Sequence, residues 1–87
     1  MISTEITSLA DTYRLMQSED YKDRFKAEYY QTVIRFDKLY QMLAKYEDGS
    51  LEFELTCPKK LLIEQKYAML RYIGILEDRA KIEGIEL

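Results

Sequence analysis

The chain has 87 residues, 47% hydrophobic and 33% charged, with a net charge of −3 and an isoelectric point near 5.0. That bounds it to one domain with a modest core and argues against a dedicated nucleic-acid binder, of DNA or RNA, which would present an electropositive face. Histidine is absent, the three glycines are scattered, and the lone cysteine is Cys57. The usual general base, the histidine-paired nucleophiles, the di-iron bundle motif and the Gly-rich phosphate loop are therefore excluded. No enzyme and no cofactor is expected, and a binding or structural role is favoured. No apolar run is long enough for a membrane span, and MISTEITSL lacks the basic and apolar regions of a signal peptide. One unpaired cysteine suits a reducing cytoplasm.

The first predicted helix covers about residues 4–17, capped by Ser3 or Thr4, with Ile6, Leu9, Ala10, Tyr13 and Met16 near one face. A helix this short is marginal alone and must dock on the rest of the chain or on a neighbouring subunit. Ser18 is then the expected cap of a second helix over 19–47, with Glu19 and Asp20 in its first turn.

That second helix, DYKDRFKAEYYQTVIRFDKLYQMLAKYE, contains no Gly or Pro. Tyr21, Phe25, Tyr29, Thr32, Phe36, Leu39, Leu43 and Tyr46 follow a nearly heptad spacing, the seam of a helix laid against another. At 1.5 Å per residue it forms a rod of about 42 Å. Asp48-Gly49 ends it. The alternation Leu51-Glu52-Phe53-Glu54-Leu55 has the period of a strand. It reads either as an extended loop pinning its apolar residues onto the hairpin end, or as an edge strand that pairs with a copy or a partner.

Pro58 opens a third helix over 58–83. Leu62, Met69, Tyr72 and Leu76 make one stripe, Leu61, Ala68, Ile75 and Ile82 a second, and Ile73 and Ala80 widen the arc. One stripe suffices for one partner. The excess calls for a second contact, with the short helix or with another subunit. Gly74, mid-helix, costs about 1 kcal/mol relative to Ala, which a close backbone approach would offset. Two long helices of similar length joined by about ten residues fold back as an antiparallel hairpin. The expected fold is all-α: a short N-terminal helix on a two-helix hairpin, assembled as a homo-oligomer.

Eight tyrosines with no Trp are the unusual signal of the composition. Tyr29, Tyr40, Tyr46 and Tyr72 lie on or beside packing seams, where a ring is buried and its hydroxyl reaches the rim. Around the first corner Tyr13, Arg14, Tyr21, Lys22, Arg24 and Lys26 gather rings and cations. The cluster reads as a solvated helix start, or as a pocket in which Tyr13 or Tyr21 stacks on a base and Arg14, Arg24 or Lys26 holds phosphates. Cys57 reads as a small helix-start residue. Glu28, Asp37, Glu64, Glu77 and Asp78 lack the spacing of a metal site.

The words DYKDRFKAEYYQ, IRFDKLYQML, KYEDGSLEF, TCPKKLL and LEDRAKIEGIEL resemble small proteins of tailed phages and prophages of Gram-positive bacteria, over about residues 18–87. The layout is also similar to the anti-CBASS and anti-Thoeris sponges. Those assemble as oligomers and bind cyclic nucleotide signals with a ring from the short helix and cations from the hairpin. The resemblance implies a phage anti-defence protein in the host cytoplasm that sequesters a cyclic nucleotide without chemistry, assembled through the third and N-terminal helices. The alternatives are a protein-directed inhibitor of the anti-CRISPR type, using its acidic surface or the Leu51–Leu55 segment on a host partner, and a structural or assembly role in the virion cycle.

Overall fold

The computed structural model describes residues 6–87, and those residues form helices and turns with no strand among them. The fold is all-α, a short N-terminal helical segment beside two long packed helices.

The N-terminal segment is shorter and tighter than its periodicity suggests. A 3-10 turn, Leu9–Thr12, runs into a single turn of α-helix, α1 (Tyr13–Met16). The Asp11 carboxylate accepts from the backbone N–H of Thr7 and Ser8 at 2.9 and 3.0 Å, which fixes the start at Ser8. These two bonds, that of Thr7 foremost, hold the Asp11 carboxyl below its usual range. The Thr12 hydroxyl donates to the Leu9 carbonyl at 2.7 Å inside the turn. The expected caps Ser3 and Thr4 lie outside the described residues.

Helix α2 spans Tyr21–Asp48, and its cap is Asp20 rather than Ser18. The Asp20 side chain accepts from the Lys22 N–H at 2.9 Å. Ser18 is drawn away: its hydroxyl donates to Asp23 at 2.8 Å and accepts from the Asp20 N–H. Glu19 and Asp20 thus precede the helix. Gly49 ends it in the left-handed conformation (φ 79°), where the Ser50 N–H turns back to the Lys45 carbonyl.

Residues 50–57 form bends rather than a strand. Leu51 and Leu55 are half-buried, but Phe53 is 59% exposed, so the loop pins two of its three apolar residues. Helix α3, Lys59–Glu83, starts after Pro58 and ends at Gly84 (φ 71°), beyond which the Ile85 N–H bonds the Ala80 carbonyl and Ile85 is buried.

The seam of α2 meets α3 as the spacing requires. Phe25, Tyr29, Ile73, Leu76 and Ala80 form the centre of the core, with Tyr30 and Ile85. Three hydroxyl-to-carboxylate bonds stitch the helices together: Tyr29 donates to Glu77 at 2.8 Å, Tyr21 to Glu83 at 2.7 Å, and Tyr72 to Glu28. Burial, then the Glu77 bond, pushes the Tyr29 hydroxyl up to about 12. This pattern accounts for three of the eight tyrosines.

Among the described residues, the backbone of the N-terminal segment packs against α2 and makes no comparable approach to α3. It covers the side of α2 that faces away from α3, and the second stripe of α3 is left outside: Leu61, Ile75 and Ile82 are 55, 45 and 85% exposed. Apart from its own stretch of helix, nothing among the described residues lies within 4 Å of where a Cβ on Gly74 would stand, so no close approach among them accounts for it.

Candidate functional site

On α2, Arg24, Glu28, Gln31 and Arg35 are spaced by four, three and four residues. That spacing stacks them on one face of the helix. The N-terminal segment borders this face on one side and α3 on the other. Between them is a cleft of about 380 Å³ whose floor is these four residues, with Met16 from α1 and Tyr72 from α3 on its two sides. Its volume lies within the roughly 300–1,000 Å³ of small-molecule sites.

Each wall is fixed by bonds visible in the structure. Gln31 donates from its side-chain amide to the buried Thr12 hydroxyl and to the Met16 sulfur, both at 2.8 Å, which fastens α1 beside the cleft. Arg24 donates to the Ser18 carbonyl at 2.7 Å and so holds the corner before α2. That bond uses one of the five donors of a guanidinium. Arg35 makes no ion pair and no side-chain hydrogen bond among the described residues. Tyr72 crosses the cleft to Glu28. Two guanidinium groups, a phenol ring and a thioether therefore face one hollow. Guanidinium groups match phosphate oxygens bidentately, and an aromatic face accepts a nucleobase.

The five residues singled out in the sequence are not brought together. Arg24 lines the cleft. Tyr13 is 54% exposed and stands one turn before Met16, and Arg14 is exposed beside it. Lys26 is two residues beyond Arg24, a spacing that turns it to another face. Tyr21 is engaged at the far end of α3, where it donates to Glu83 and accepts from Arg79 at 2.9 Å. Arg79 also bonds Glu83 at 3.2 Å and lies 4.9 Å from the centre of the Phe25 ring. In this clasp the Tyr21 bond, then Arg79, holds the Glu83 carboxyl below its usual range, and Glu83 in turn pushes the Tyr21 hydroxyl up.

Glu28, Gln31, Arg35 and Tyr72 were not read as site residues from the sequence. The signal that finds them is the polar stripe at four, three and four on a helix whose seam lies elsewhere. Tyr72, 37 residues beyond Arg35 in the sequence, joins them only through the hairpin.

Compared with known protein families, residues 19–82, most of the chain, match the family described as Sequestin. No curated protein and no solved structure matches the chain.

Proposed function

The chain belongs to the Sequestin family, and from that premise we propose that it holds its ligand in the cleft floored by Arg24, Glu28, Gln31 and Arg35. Membership implies a phage anti-defence protein that sequesters a cyclic nucleotide immune signal, and that does so by binding, without catalysis. The likeness of its layout to the cyclic nucleotide sponges points the same way. The observation that supports the cleft is the convergence of Arg24, Arg35 and Tyr72 on one hollow of ligand size. In this reading Arg24 and Arg35 take phosphates, Tyr72 and Met16 flank a base, and Tyr13 extends the rim. Arg14, Tyr21 and Lys26 act around the cleft rather than in it.

The finer assembly belongs to the same proposal. With the N-terminal segment docked on α2, the exposed stripe of α3 is offered to a second copy, giving a homo-oligomer. The N-terminal segment reaches the same assembly from the other side of α2. The protein acts in the host cell, and the cytoplasm is the compartment proposed, in keeping with a single unpaired Cys57. No helix among the described residues is long and apolar enough to cross a membrane.

A thermal-shift and calorimetric screen against cyclic di- and trinucleotides and cyclic ADP-ribose isomers tests the site. A ligand at 100 times its Kd adds about 2.7 kcal/mol of stability. Arg35→Ala and Tyr72→Leu are expected to lower that gain while the unliganded fold is kept. Unaltered affinity in the Arg24→Ala/Arg35→Ala double variant would remove the cleft from consideration.

A further inference from the structure

The order of groups along the cleft floor carries more than a phosphate site. Arg24 and Arg35 stand at its two ends, their Cα atoms about 16 Å apart along the helix. Between them are Glu28 and Gln31. Glu28 is an anion, so the middle of the floor repels a phosphate that either end attracts. Gln31 has its amide nitrogen committed to Thr12 and Met16, and its carbonyl oxygen makes no hydrogen bond among the described residues. The middle of the floor is therefore acceptor-only: a carboxylate and a carbonyl. Among the described residues, the donor in contact with it is the Tyr72 hydroxyl on Glu28.

We propose that Glu28, supported by the Gln31 carbonyl, reads the N–H donors of an amino-bearing nucleobase, and that the Tyr72 hydroxyl holds that acceptor's place until the base arrives. This rests on the cleft being the ligand site and adds what selects the ligand. The ligand class is a nucleotide in which phosphates flank a base carrying an exocyclic amine, the phosphates reaching Arg24 and Arg35 and the amine reaching Glu28. A carboxylate accepting from a base amine is a recognised pairing, worth roughly tenfold or more in discrimination. The Tyr72 ring stays beside the base after its hydroxyl is released, so one side chain changes from placeholder to stacking partner.

The test begins with whichever of the cyclic di- and trinucleotides or cyclic ADP-ribose isomers the purified chain binds. That ligand is compared by calorimetry with its amine-deleted counterpart, purine in place of adenine or hypoxanthine in place of guanine. The wild-type chain is expected to bind the amine-bearing form about tenfold or more tightly. Glu28→Gln should lower that affinity and narrow the gap, whereas Tyr72→Phe, which frees Glu28, should raise it. Arg35→Ala should weaken both ligands alike. Equal affinity for the two ligands, or tighter binding by Glu28→Gln, would overturn the inference while leaving the cleft as the site. No binding of any member of the panel would overturn the cleft reading and this inference with it.

Discussion

Beside the N-terminal segment, α2 and α3 meet through Phe25, Tyr29, Ile73, Leu76 and Ala80, and two tyrosine–carboxylate bonds, Tyr29 to Glu77 and Tyr21 to Glu83, run across them. Toward the loop the same two helices bury only Leu43 among the described residues from 37 to 70. There the cross-helix contacts are charged groups at the surface: Lys59 pairs with Glu47, and the Lys66 ammonium lies 5.7 Å from the Tyr40 ring centre. Tyr40, Tyr67 and Leu70 are 53, 61 and 50% exposed in this half. One helix pair is thus a packed core at one end and a half-covered apolar surface at the other. The cleft is built against the packed end, where a rigid support keeps Arg24, Glu28 and Tyr72 in register.

The sharpest way to test that contrast is to open a hole in each half. Leu76, with no exposed surface, should cost about 3–4 kcal/mol as Leu76→Ala. In a chain this size that is a fall of more than roughly 10 °C in Tm. Leu43→Ala, with fewer neighbours to leave a cavity behind, should cost about 2 kcal/mol. Urea denaturation of both variants decides it, and equal losses would mean the loop half packs as tightly as the other.

Tyr29→Phe is the next effect in size, about 1 kcal/mol for the lost bond. It has a pH signature as well. The Tyr29 hydroxyl titrates at about 12 in the folded chain against 10 when unperturbed. Its contribution is complete below about pH 10 and declines as pH rises toward 12, because the unfolded chain sheds that proton first. Stability measured over this window should fall less in Tyr29→Phe than in the wild type.

At the loop half, Tyr67→Ser with Leu70→Ser should change monomer stability by only about 0.5 kcal/mol or less. Sedimentation is the measurement that matters there. If a second copy covers this surface, the double variant shifts toward monomer. An unchanged distribution would remove this surface from the proposed assembly and leave it the Leu61, Ile75 and Ile82 stripe.

The long helices were legible because their stops are chemical: Gly49 and Gly84 adopt positive φ, and Pro58 cannot continue a helix backward. The seam was legible for the same kind of reason, since Phe25, Tyr29 and Leu43 repeat at helical spacing and are buried. What the sequence concealed is local competition. Ser18 and Asp20 are both good caps, and the choice between them is made by the bonds of Ser18 to Asp23 and of Lys22 to Asp20. The first helix shortened because Asp11 gathers the N–H groups of Thr7 and Ser8. Within the cleft, Arg24 was visible beside its neighbours in sequence. Arg35 and Tyr72 looked like a solvated charge and a packing ring until the hairpin placed them on one hollow.

The Tyr29–Glu77 stitch has a consequence for ionic strength. It joins a neutral hydroxyl to a carboxylate, so no pair of opposite charges is available for salt to screen. A phosphate on Arg24 or Arg35 at an open surface is such a pair, and the screening length shrinks from about 10 Å at 0.1 M to about 3 Å at 1 M. If the proposed cleft is the site, raising the salt should loosen the grip on the ligand without loosening the packed end beneath it, so that captured signal is released from a folded protein that can be loaded again.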